Sequence, residues 1–387
     1  PNPSVPRFWA IRDAPRLVPP PAGVVPCGTS KQSCQSDLTA TSGFDLRNDA
    51  LDVYVFLPGA AEQANTSYGY AGLRSEYLSL TGPVPALPDE AFGTWFSWFH
   101  AYNQSAAEAD IARWRADDLP IDIWGLDMDW RVCFEGRCPN YTINTDLFPD
   151  MAGFYSYAHA HGLSVYMNDH PMSQVPITNR SELEPVEVAF RYKGLTSLFD
   201  LGMDFWWYDE NWFGNQTPGV SFGSGEIDRL CWNQEVFRSV TDNYNALHGP
   251  RNKTKPFGTL SLSMYTSQHP AEHRFPVWWT GDNQYTDLLG EVQTMVNSGL
   301  QLQPYVHPDC GAHYGVPFAQ ETPEMFVRWA QFCAMGTIVR FHTNECCDHR
   351  PWTWGAAAEI AIQTVLKLRY TLLPTLIAAG RRATLDG

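Results

Sequence analysis

The sequence predicts an α/β protein, a closed (β/α)8 TIM barrel over residues 91–387 preceded by the remnant of a β-rich domain. Three observations predict it. From Ala91 onward short aromatic or β-branched runs alternate with amphipathic ones, the pattern of repeated βα units around a parallel sheet. Eight strand-like runs occur, near 92–98, 121–130, 163–169, 204–209, 256–263, 276–282, 303–309 and 337–343, and eight βα units close a barrel. No Gly-rich phosphate turn follows the first run, as an open doubly wound sheet would more often show.

Residues 1–30 are rich in proline and lack periodicity, and Asp-Val-Tyr-Val-Phe at 52–56 alternates toward a strand. Residues 1–69 therefore read as the tail of an N-terminal β-rich domain. Helical patterns fall between the later strands, at 105–117, 149–161, 228–247, 286–299, 323–335 and 356–379. In such a barrel the reacting groups gather at the C-terminal strand ends. That register puts Asp127, Asp209, Asp282, Asp309 and His342 there.

At 387 residues the chain exceeds the usual domain size, but one barrel with appended loops takes up most of such a length. Charged residues make up 18% and hydrophobic ones 44%, with no run of eighteen or more apolar residues, so no membrane span is expected. The formal charge of −16 argues against nucleic acid or an anionic membrane as partner, since either wants a clustered basic surface. A neutral polyhydroxylated partner is compatible with it. Asn-x-Ser/Thr acceptors stand at Asn65, Asn103, Asn140, Asn179, Asn215 and Asn252, where roughly two are expected by chance. That excess points to a glycoprotein of the eukaryotic secretory pathway, secreted or lysosomal. Of nine cysteines, Cys27 with Cys34 and Cys133 with Cys138 are spaced for local disulfides, and the adjacent Cys346 and Cys347 read as a disulfide end. The chain starts at Pro1 without an apolar leader, as it would after processing or as a fragment.

Two aspartates carry the functional reading. Asp209 ends Phe-Trp-Trp-Tyr-Asp (205–209) and Asp282 ends Trp-Trp-Thr-Gly-Asp (278–282). Breaking a glycosidic bond needs one acid to protonate the leaving oxygen and one carboxylate across the ring, roughly 5–5.5 Å away in a retaining enzyme. Aromatic neighbours supply flat faces for sugars and exclude water, which raises a carboxyl's pKa. Either aspartate could instead cap the next helix, but two such sites on different strand ends favour chemistry. Asp127 and Asp129 lie two apart, so a strand end must separate their roles. His170 and His342 could donate to sugar hydroxyls or be ordinary loop residues, and Asp309 could be a turn carboxylate. His307, Asp309, His313, His342, Asp348 and His349 crowd the last third, but their spacing matches no metallohydrolase motif. Neither a metal nor a cofactor is expected, and no Gly-x-Ser-x-Gly elbow for a serine hydrolase occurs.

The ordered set of segments resembles glycoside hydrolase family 31, the α-glucosidases, α-xylosidases and related retaining enzymes. The likeness runs from about Asp52 to Ala379. It implies that 1–69 is the remnant of an N-terminal β-sandwich, and that 70–90, containing Tyr-Ala-Gly-Leu-Arg-Ser-Glu-Tyr-Leu-Ser-Leu-Thr-Gly-Pro, is the linker helix. It implies Asp209 as nucleophile and Asp282, in Trp-Thr-Gly-Asp, as acid and base. The same resemblance puts Asp127, Asp309 and His342 against the terminal sugar, with Trp98, His170, Trp207, Trp279 and Arg340 completing the substrate-binding set. The substrate implied is an oligosaccharide or glycoside, and missing flanking β-domains are expected to pack on the barrel. One position departs from the family. The arginine commonly carried at the end of the fifth strand is absent from Thr-Leu-Ser-Leu-Ser-Met-Tyr-Thr (259–266), and the next, Arg274, lies well beyond it. The expected activity is that of a retaining exo-α-glycosidase, first an α-glucosidase. An α-xylosidase, a transglycosidase or a catalytically weak carbohydrate-binding homologue stand as alternatives.

Overall fold

A computed structural model of the chain describes residues 69–132, 140–169, 185–209, 264–266, 277–314 and 321–386, less a few single positions, together with Tyr244, Leu247 and His248. The chain divides into two compact units, Pro1–Tyr77 with Gln216–Trp232, and Leu78–Asn215 with Asn233–Gly387. Helix α1 (Gly69–Thr81) opens the described chain and falls in the segment expected to be a linker helix. The second unit holds eight parallel strands: β1 (Thr94–Phe96), β2 (Ile123–Leu126), β3 (Ser164–Asp169), β4 (Phe205–Tyr208), β5 (Met264–Thr266), β6 (Val277–Trp279), β7 (Val306–His307) and β8 (Val339–Phe341). Between and after them lie α2 (Gln104–Ala116), α3 (Met151–Ala160), α4 (Pro185–Leu201), α5 (Leu288–Leu300), α6 (Pro323–Met335) and α7 (Ala356–Asp386).

The ladder runs β7-β6-β5-β4-β3-β2-β1-β8. A parallel bridge between Cys310 and Phe341 joins its two ends, with the Cys310 amide donating to the Arg340 carbonyl at 2.9 Å, so the sheet closes into the expected barrel. Period-2 alternation sorts the side chains. Trp95, Tyr166, Phe205, Trp207, Val277 and Trp279 fill the interior, while Phe96 turns outward against Trp114 and Trp124. Gly125 faces inward because a Cβ there would meet the Tyr166 ring at 2.2 Å. Helix starts carry the caps their sequences offer: Asn103 accepts from the Ala106 amide, Asp150 from Gly153, and Thr322 from Met325. A disulfide joins Cys310 to Cys333 of α6. The pairs expected at Cys27–Cys34 and Cys133–Cys138 lie outside the described residues, as do residues 1–68 and nearly all of the helix expected at 228–247.

The fifth strand is paired at Met264–Thr266, beside Trp207–Tyr208 and Val277–Trp279; the run expected at 256–263 lies outside the described residues. Helix α4 tolerates Gly194 in its interior because a Cβ there would meet the Tyr141 ring at 2.0 Å. Helix α7 runs through Pro374 as expected and continues beyond 379 to Asp386. By length and composition alone it is long and apolar enough to cross a bilayer. Its buried Arg369, however, donates to the carbonyls of Phe92, Ala334, Gly336 and Thr337, as a helix docked on the barrel does.

Candidate active site

In β2, β3 and β4 the inward parity continues one step past the strand body and places polar groups at its C-terminal end. After Phe205 and Trp207 the next inward residue of the β4 run is Asp209. It is 5% exposed, and its Oδ2 accepts from the Asn168 amide of β3 at 2.7 Å. Asn168 is itself held, since its carbonyl accepts from the Trp130 indole at 2.7 Å, and next to it Asp169 pairs with Arg131 at 2.7 Å in full burial. β2 ends at Leu126, and Asp127 caps the short turn Met128–Trp130 by accepting from the Met128 amide. That turn separates the two acids: Asp127 faces Asp209 and Arg340, while Asp129 faces Glu345 and His100.

β6 ends at Trp279, and Thr280–Gly281 turn the chain with Gly281 at φ 91°. The side chain of Asp282 is 13% exposed; its Oδ2 accepts from the Tyr314 hydroxyl at 2.9 Å, and its Oδ1 lies 3.7 Å from His313 Nδ1. Behind the turn, the Thr280 hydroxyl donates to Glu291 of α5 at 3.0 Å, and burial pushes Glu291 up to about 7. From the ends of β7 and β8, Asp309 and Arg340 form a fully buried pair at 2.7 Å. The Arg340 Nε also donates to Tyr166 and Ser97, and its guanidinium lies 4.0 Å over the Trp207 ring. The Ser97 hydroxyl also lies 2.8 Å from His342 Nδ1, and His342 Nε2 faces Asp127 at 3.6 Å.

The electrostatics tie these groups into one site. Burial raises Asp127, and the charge of Asp209 adds to it. Burial raises Asp309 against the pull of Arg340, and Asp282 and Asp209 raise it further. Burial lowers His313, opposed by Asp282 and then Asp209, and burial with Arg340 holds His342 well below its ordinary value. Asp209 and Asp282 thus act on the same two neighbours. Asn168 Oδ1, Asp309 Oδ2, His313 Nδ1, Arg340 Nη2 and His342 Nε2 are buried without a hydrogen-bond partner. Buried polar atoms left unpaired are costly, and these five lie on side chains gathered at the C-terminal strand ends.

Of the residues anticipated from sequence, Asp127, Asp209, Asp282, Asp309, Arg340 and His342 converge. Trp207 and Trp279 form the floor, edge to face at 5.1 Å. Trp98 turns the other way: its indole donates to the Asn344 carbonyl, stacks on His100 and lies under Arg350. His170 lies outside the described residues. The sequence reading missed Ser97, Tyr166 and Asn168, which share inward parity with Trp95, Phe205 and Asp209, and it gave no site role to His313 or Tyr314. Asp309, His313 and His342 offer ligand atoms within 4.8 Å of one another. Arg340 against Asp309 already supplies the positive charge that a metal would bring.

Comparison with known proteins agrees with the barrel fold. The family model for the glycosyl hydrolases family 31 TIM-barrel domain matches residues 84–187 and 183–379. A 1,6-alpha-glucosyltransferase of Sporosarcina globispora is 23% identical over 90% of this chain and 32% of its own length. The lysosomal alpha-glucosidase of Mus musculus is 22% identical over 87% of this chain and 40% of its own. A family 31 dextranase of Flavobacterium johnsoniae, solved with glucose, superposes with a TM-score of 0.69 at 17% identity over 82% of this chain and 44% of its own, a likeness of fold. The chain spans about a third to two fifths of the length of these curated relatives.

Proposed function

The chain belongs to glycosyl hydrolase family 31, whose members act on O-glycosyl bonds, and from that membership and the pocket together we propose that it is a retaining, exo-acting α-glycosidase, first an α-glucosidase. One observation carries the reading: Asp209, held by Asn168, ends β4, Asp282 follows β6 with His313 at 3.7 Å, and His313 lies 3.6 Å from Asp309, amid buried polar atoms with no partner. Asp209, oriented by Asn168, attacks the anomeric carbon as Asp282 delivers a proton to the departing oxygen, leaving a β-linked glycosyl ester. Water then enters from the vacated face, Asp282 takes its proton, the ester bond to Asp209 breaks, and the sugar leaves in the α configuration. Asp309, Arg340, His342 and Asp127 meet the hydroxyls of the terminal sugar.

α-Xylosidase or transglycosidase activity uses the same machinery and differs in what the pocket admits. A catalytically weak carbohydrate-binding homologue is the second reading, favoured by the absence of arginine from 259–266. The lysosomal relative and the six acceptors support a glycoprotein of the secretory pathway, and Asn103 is exposed where its Oδ1 caps α2. The greater length of the relatives leaves room for further domains in the full-length protein. The test is a screen of aryl α-glycosides with the full-length protein, with the first-formed sugar followed by proton NMR. The α anomer is expected. Immediate β anomer would remove Asp209 from the nucleophile's role, and no turnover on any α-glycoside would favour the binding homologue.

A further inference from the structure

The acid/base candidate sits on a turn rather than on a strand, and a second loop reaches across to hold it. Past β7 the chain passes Asp309 and Cys310 and then takes two successive left-handed residues, Gly311 at φ 98° and Ala312 at φ 83°. Gly311 admits no side chain, since a Cβ there would meet the His349 ring at 2.5 Å. Ala312 holds a conformation that non-glycine residues rarely adopt, and such strain persists where the surroundings over-determine it. The surroundings here do so. Asn283, next to Asp282, takes the His313 amide on its Oδ1 at 3.0 Å and the Tyr314 amide on its carbonyl at 3.0 Å, and its Nδ2 donates to the Asp309 carbonyl at 3.1 Å. A parallel bridge between Gln284 and Tyr314 extends the clamp, and the Cys310–Cys333 disulfide ties the turn's base to α6. The reversal delivers the Tyr314 hydroxyl to Asp282 Oδ2 at 2.9 Å.

We propose that Tyr314 is a positioning residue for Asp282, holding its carboxyl toward the scissile oxygen through both steps of the reaction. The proposal rests on reading Asp282 as acid and base. A phenol suits the task because it donates to a carboxylate and, by rotating its O–H, accepts from a carboxylic acid, so one partner serves both protonation states. Among the described residues, the charged and titratable groups around Asp282 are Tyr314 and His313 on this loop, Asp309 at its base, and Asp209 and Arg340.

The test compares full-length wild type, Tyr314→Phe and Asp282→Ala on two donors, an aryl α-glucoside with a poor leaving group and α-glucosyl fluoride. Tyr314→Phe is isosteric at a position 37% exposed, so the fold is retained. It should lose about tenfold in kcat/KM on the aryl glucoside and change less than twofold on the fluoride, which leaves without a proton. If Asp282→Ala shows the donor split and Tyr314→Phe shows none, the positioning role falls and the acid/base reading stands. If neither variant shows the split, or wild type turns over neither donor, both fall.

Discussion

Asp209 and Asp282 follow strands of similar composition, Phe-Trp-Trp-Tyr and Val-Trp-Trp, yet their carboxylates are held in different ways. Asp209 continues the alternation of its own strand, so the barrel backbone sets its direction, and its amide partner Asn168 stands on the neighbouring strand. Asp282 comes three residues after its strand ends, beyond a left-handed glycine, and takes its direction from Tyr314 on another loop. The difference matches the two roles proposed. A nucleophile must meet one carbon at one distance, and rigid elements hold such geometry best. A proton carrier must serve a departing oxygen and then an incoming water, which a side chain on a partnered turn can do.

Replacing each group breaks the comparison in a different place. Asp209→Ala should lose about 10⁴-fold or more on every donor, activated or not, since the covalent step itself is gone. Asp282→Ala should lose about 10²–10⁴-fold on poor leaving groups and spare α-glucosyl fluoride. Added azide should give this variant an α-glycosyl azide and the Asp209 variant only the β-azide, as product NMR would read. The rigid side is also a stability element. Arg340→Met leaves Asp309 buried without its counter-ion and should cost about 3–5 kcal/mol in denaturant unfolding, with Trp207 losing the guanidinium over its ring.

The smallest effect falls on the turn side. Glu291, held near 7 by burial against an ordinary value of 4.5, accepts from Thr280 just before Gly281. A raised folded-state value means the contribution is present below about 4.5 and is lost as pH rises through about 7. Wild-type stability should therefore fall between pH 5 and 8, and Glu291→Gln should flatten that fall in thermal unfolding at the two pH values. An unchanged slope would put Glu291 outside the support of the turn.

What could be read from the sequence follows the same division. The alternation of strand-like and amphipathic runs made the barrel legible, and strand-end position made Asp127, Asp209 and His342 legible, because barrel sites gather at the C-terminal strand ends; Arg340 entered only through the resemblance. Period-2 parity turns Trp98 outward beside the outward Phe96, a consequence that the resemblance alone did not carry. Tyr314 and His313 were illegible as site residues because their placement depends on two left-handed residues, one of them Ala312, whose conformation no propensity signals. The Cys310–Cys333 disulfide spans 23 residues and joins a strand end to a helix, so spacing could not reveal it.

The central claim is that Asp209 forms the covalent bond and Asp282 does not. The most direct measurement is to trap the intermediate with a ring-fluorinated α-glucosyl fluoride, whose ester is hydrolysed slowly, then digest the labelled full-length protein and locate the sugar by mass spectrometry. The account predicts one sugar per chain, on Asp209, with activity returning as the ester turns over. A sugar on Asp282 or Asp127, or steady turnover of the fluoride with no labelled peptide, would contradict it.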